Sequence, residues 1–196
     1  MSFLHFIFEP EAAWRSLAGE QPRWSTVVAW LLVLAAIPAC AWYYGATRVG
    51  WQVGNGQLLR MTVDSARLII LFFYLAMVVG IGCIAAMIHW MAVTYGAATS
   101  ALDAMRLTVV TATPMFLAGL AGFVPILWLD LIVGIGAASW SLYLLYVGIP
   151  VTMRISKERG YLFASATVAV CLVLLISLMG FTVALWEWGA MPVFTD

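Results

Sequence analysis

Five apolar stretches, each long enough to cross a bilayer, decide what this chain can become. A spanning helix needs about 20 mostly apolar residues to traverse a hydrocarbon core of about 30 Å. The stretches run from about Ser25 to Tyr44, Leu68 to Val93, Ala101 to Val124, Trp128 to Ile149 and Leu162 to Trp186. The expected fold is an all-α integral membrane bundle forming a single membrane domain over 1–196. Charge content agrees. Only 9% of the residues are charged and 65% are hydrophobic, whereas a soluble domain carries about 25% charged residues. A soluble enzyme, a nucleic-acid binder and a disordered protein are excluded on that ground.

Five is odd, so the termini are expected on opposite sides. With a cytoplasmic N-terminus, the inner segments hold Arg15, Arg23, Arg106, Arg154, Lys157 and Arg159, and the outer ones Arg48, Arg60 and Arg67. The positive-inside rule then favours N-in, C-out. Tryptophans agree, with Trp14, Trp24 and Trp90 near the inner boundary and Trp42, Trp51, Trp128, Trp186 and Trp188 near the outer one. Indole rings favour the headgroup level because they are amphipathic. The N-terminal stretch lacks a basic leader and a cleavage site, so a cleaved signal peptide is not expected. Residues 1–24 read as a cytoplasmic interfacial segment. Pro10 suits a first helical position ahead of Glu11 to Leu17, with Phe3, Phe6 and Ile7 before it.

Local signals place the helix ends. Ser100-Ala-Leu-Asp103 fits a capping box before the third span. Asp130 falls in the first turn of the fourth helix, where an anion suits the dipole. Phe123-Val-Pro125 suggests a tight outer connection, and Pro150 is expected to end the fourth span. Pro38 and Pro114 lie inside spans, where each removes one helical hydrogen bond and favours a kink. The outer loop from Gly45 to Arg67 is the longest polar segment, with a hairpin-type Asn55-Gly56.

Several patterns in order carry a resemblance. They are Glu9-Pro-Glu-Ala-Ala-Trp14, Gly50-Trp51 with Gly54-Asn-Gly56, Ala112-Thr-Pro-Met-Phe116, and Tyr143-Leu-Leu-Tyr-Val-Gly-Ile-Pro150 leading to Lys157-Glu-Arg-Gly160. Together with five spans, the chain resembles the Yip family of small membrane proteins, in its bacterial inner-membrane branch. The resemblance covers almost the whole chain. It implies a five-helix, N-in protein of the inner membrane. Eukaryotic relatives associate with Rab-type GTPases through a longer N-terminal region and an Asp-Leu-Tyr-Gly motif. This sequence has neither, so GTPase binding is not carried over.

Candidate site residues are few. His89 is an ionisable group within a span, a functional hypothesis by default. It lies about 32 Å along the helix from Leu68, at about 1.5 Å per residue, so it is expected at the inner headgroup level beside Trp90. His5 and His89 are weak metal candidates with Asp103 or Glu9, and no spacing demands a metal. Thr108, Thr111 and Thr113 precede Pro114. Satisfying local carbonyls is the favoured reading, and a polar groove opened by the kink is the sharper one. Ser139, Tyr143, Tyr146 and Pro150 form one semi-polar stripe, favoured for helix packing and otherwise suited to a ligand cleft. Ala118 and Gly122, Ala137 and Ser141, and Ser165 and Ala169 permit close helix contact. Arg154, Lys157 and Arg159, with Trp14 and Arg15, are expected to meet lipid headgroups. Cys40, Cys83 and Cys171 all sit in apolar runs and read as packing residues. No nucleophile elbow, metalloprotease helix or phosphate loop is found.

The expected protein is therefore not an enzyme and carries no cofactor. It acts as an adaptor or membrane-organising component that contacts lipid, itself or another membrane protein. The alternative is a small oligomeric transporter, channel or lipid-handling protein, using His89, Thr108, Pro114, Tyr143 and Tyr146 as ligand or gating residues.

Overall fold

Every long apolar stretch is a helix in the computed structural model, whose described residues are 9–20, 23–51, 58–97, 99–189 and 191–195. A short helix α1 (Pro10–Gly19) precedes α2 (Trp24–Tyr44), which runs into a π-helical turn over Gly45–Val49. Gly50 ends that turn at φ 85°, where a Cβ would lie 2.8 Å from the Leu59 carbonyl oxygen. Strand β1 (Arg60–Met61) leads into α3 (Val63–Ala92). Helix α4 (Ala101–Ala118) tightens into a 3-10 turn over Gly119–Phe123, and α5 (Leu127–Met153) and α6 (Lys157–Glu187) follow. The last element is β2 (Phe194–Thr195). Five of these segments are long and apolar enough to cross a membrane, as expected.

The helices extend beyond the apolar stretches. α3 takes in Asp64, Ser65 and Arg67 before its hydrophobic run begins. Hydropathy marks where hydrocarbon lies, but a helix continues into the headgroup layer until something caps it. Ser100 supplies one such cap, its hydroxyl accepting from the Asp103 amide at 3.1 Å and donating to the Asp103 carboxylate at 2.7 Å. Ser156 caps α6 by accepting from the Arg159 amide.

Pro150 does not end the fourth span. α5 runs through it to Met153 and stops at Arg154, a left-handed residue at φ 53°. A proline this near a C-terminus removes only one hydrogen bond. Its ring packs on α6, where a Cβ on Gly160 would sit 2.6 Å from Pro150 Cγ.

The N-terminus of α2, the C-terminus of α3, the N-terminus of α4 and the α5–α6 turn share one end of the bundle with α1. We call this the capped end. Its core is built from Trp14, Ile88, Leu107, Leu144, Ile149, Met153 and Phe163 with intervening alanines. A second cluster, from Val27, Leu31, Leu34, Ile81, Val109 and Phe116, joins α2, α3 and α4 in mid-bundle. Near the opposite end α2 presses on the 3-10 turn, with Pro38 against Gly119 and Trp42 against Gly122. A Cβ at Gly122 would lie 2.7 Å from the Trp42 ring, so only glycine allows this approach.

At that opposite end β1 pairs with β2 antiparallel, Arg60 opposite Thr195 and Met61 opposite Phe194. Ser65 accepts from the Val193 amide at 3.1 Å and fastens the same junction. No pattern in the sequence points to this clasp. Asn55-Gly56 lies outside the described residues. The two ends of the described chain therefore sit at opposite ends of the bundle.

Candidate functional site

The capped end concentrates the polar chemistry. Pro10 starts α1 with no amide to leave unpaired. The helix packs on α5 and drives Trp14 into the core, where it is 1% exposed. Gly148 makes the seat: a Cβ there would lie 2.6 Å from the Trp14 ring and 2.9 Å from Leu107 Cδ1. The expectation that Trp14 lies among lipid headgroups is thus corrected. An amphipathic helix with one indole suits the interface and a protein groove equally well, and here a glycine opens the groove.

Arg106 locks the far end of α1. It is 7% exposed, donates to the Glu20 carbonyl at 3.2 Å and pairs with Asp103 at 3.4 Å. One guanidinium thus joins the exit of α1 to the first turn of α4. A buried charge is tolerated only when paired and hydrogen-bonded, as here.

Glu11 gathers two cations at the surface. Arg15 approaches it at 3.0 Å from the next turn of α1, and Lys157 at 3.8 Å from the start of α6. Both pairs are exposed and contribute little stability. They do bring the predicted Arg15 and Lys157 to one place. Arg154 lies in the adjacent turn, exposed, and neither it nor Arg159 has an ion pair among the described residues. The loop before α4 packs on the same helix, with Tyr95 stacked on Phe163 at 4.7 Å.

The other predicted residues are dispersed. His89 is exposed on the last turn of α3 beside Trp90, itself 70% exposed, and His5 lies outside the described residues. No group of three potential metal ligands occurs among the described residues. Thr108 and Thr111 are buried and return their hydroxyls to their own helix, at 2.8 Å to Ala104 and 2.9 Å to Leu107. Thr113 does the same to Val109 at 2.9 Å. Pro114 is buried within α4. Thr108, Thr111 and Pro114 are thus buried in packed helix.

The stripe on α5 divides between two tasks. Tyr146 shares a hydrogen bond with Ser165 of α6 at 2.8 Å, and Pro150 packs on Gly160. Tyr143 stays 45% exposed, its ring 5.2 Å from Trp140. Glu11, Arg106 and Gly148 escaped the sequence reading as site residues. The spacing of Ser100, Asp103 and Arg106 in steps of three was the available signal, since it puts all three on one face.

A Yip1 domain matches residues 4–178. The inner membrane protein YohC of Escherichia coli K12 is 36% identical over 159 residues, 81% of this chain and 82% of that protein. The protein of the same name from Escherichia coli O6:H1 strain CFT073 matches to the same extent. No solved structure matches the chain.

Proposed function

Because the chain belongs to the Yip1 family, as a multi-pass inner-membrane protein, we propose that it is a non-enzymatic adaptor or membrane-organising component. It works through its capped end. The observation that carries this reading is the fixed posture of α1. Trp14 in its seat, Arg106 on Glu20 and Glu11 between Arg15 and Lys157 hold a short amphipathic helix and a basic turn as one surface. Such a surface suits anionic lipid headgroups and the juxtamembrane part of another membrane protein or a second copy. The excess of basic residues at this end supports a cytoplasmic N-terminus and an external C-terminus.

Two measurements on intact cells test this. Cysteines introduced as Arg154→Cys and Trp188→Cys, in a background where Cys40, Cys83 and Cys171 are replaced, are probed with an impermeant maleimide. Labelling of position 188 alone is expected, and labelling of 154 alone reverses the orientation. Photo-crosslinkers at positions 15 and 154 are then expected to give discrete adducts that a crosslinker at 187 does not. Equal patterns at all three sites defeat the adaptor reading.

A second reading, a small oligomeric transporter, channel or lipid-handling protein, draws on the half-exposed Tyr143. That residue opens toward the surrounding lipid rather than into the packed interior, which favours lipid handling over a pore. Liposome scrambling that survives Tyr143→Phe combined with Tyr146→Phe unchanged would count against these residues.

A further inference from the structure

We propose that the surface formed by α5 and α6 at the capped end holds one anionic phospholipid from the leaflet on that side. Three layers of chemistry follow one another along it. Outermost stand Arg154, in the turn between the helices, and Lys157, with Arg15 drawn toward Lys157 through Glu11. Three cations there face one carboxylate, and Glu158 and Arg159 add one charge of each sign. An anion at this point finds surplus positive charge.

One and two turns deeper on the Lys157 face of α6 come Tyr161 and Ser165, in steps of four residues, about 6 Å each. Tyr161 is 50% exposed, and its ring lies 6.0 Å from that of Tyr146, whose hydroxyl meets Ser165 at 2.8 Å. Ser165 donates to the Tyr161 carbonyl at 2.9 Å, so Tyr146 donates to Ser165. The Tyr161 hydroxyl is the donor left at this depth for glycerol esters, which only accept hydrogen bonds.

Beyond this layer the two helices stop burying residues. α5 buries none before Leu144, and α6 none after Thr167. Leu131, Ile132 and Ile135 on α5 and Leu172, Val173 and Ile176 on α6 are exposed there, suited to acyl chains. A phospholipid presents these three layers in this order. A second copy of the chain would cover the apolar side chains but leaves the surplus cations at the capped end without a counterpart. The site rests on the same basic surface as the adaptor reading, and the crosslinking patterns at positions 15, 154 and 187 test that reading separately from lipid binding.

Native mass spectrometry of the full chain in mild detergent tests the site, with phosphatidylglycerol and phosphatidylcholine of identical acyl chains as probes. One phosphatidylglycerol per chain is expected, bound at least about fivefold more tightly than phosphatidylcholine, the discrimination one near-surface base supplies. Lys157→Gln and Arg154→Gln should each weaken phosphatidylglycerol by about fivefold and leave phosphatidylcholine unchanged. Glu11→Gln should tighten it, because the competing carboxylate is gone. Tyr161→Ala should weaken both lipids, and Arg48→Gln neither. If Tyr161→Ala unfolds, the opposed effects of the exposed pair Lys157→Gln and Glu11→Gln still decide the matter. Equal retention of both lipids, indifferent to these variants, overturns the proposal. A lipid-free dimer overturns it too, in favour of self-association.

Discussion

The two halves of α6 lie in the same helix and do different work, and the second half, which carries five of the helix's six leucines, is the more hydrophobic. Its first half packs Phe163, Ala164 and Thr167 into the capped-end core. Its second half buries nothing, and Ile176 there is 69% exposed. The difference shows that hydrophobicity does not decide contact in a membrane. Lipid tails are as apolar as leucine, so burying apolar area between helices yields no solvent-driven gain. Close approach does decide it. At the capped end Gly148 and Gly160 remove the atoms that would hold their neighbours apart, while Gly180 on the distal half has open space around it.

Substitutions can break this contrast at either half. The largest effect is expected for Trp14→Ala, which empties a filled seat and should cost about 3–5 kcal/mol by the usual aromatic-to-alanine range. Reversible unfolding in mixed micelles measures it, and protease sensitivity after Gly19 should rise with it. Gly148→Leu attacks the same seat by overpacking, at about 1–3 kcal/mol. Arg106→Met leaves the Glu20 carbonyl and Asp103 without their donor, and about 1–3 kcal/mol is expected by the same assay. Glu11→Gln breaks two exposed pairs, which limits its cost to under about 1 kcal/mol. Ile176→Ala, on the distal half, should change stability by no more than about 0.5 kcal/mol. If it costs as much as Trp14→Ala, that half is covered by a protein surface and the contrast fails.

Most of the architecture was legible in the sequence for the same reason. Backbone amides cannot stay unpaired in hydrocarbon, so an apolar run of sufficient length has only one local solution. The Ser100 cap, the first-turn Asp130 and the tight turn at Phe123 were legible because they are local. Trp14 was not, because its destination depends on a glycine 134 positions away. Pro150 misled because its rule concerns the hydrogen bond it lacks, whereas the stop comes four residues later at the left-handed Arg154. The threonines before Pro114 followed the plainer expectation of bonding their own helix. Tyr143 and Tyr146 share one helical stripe but part in the fold, Tyr146 bonding to the adjacent helix and Tyr143 staying half-exposed.

The small clasp of β1 with β2 has a consequence for assembly. Its strands are separated by four of the five membrane helices, α3 to α6, and Thr195 donates to the Arg60 carbonyl across 135 residues. Those hydrogen bonds cannot form until the last helix has been threaded through the bilayer in the right direction. A chain inserted with one span missing or reversed leaves both strands on different sides of the membrane with raw edges. The clasp is therefore a latch that only a correctly completed insertion can close.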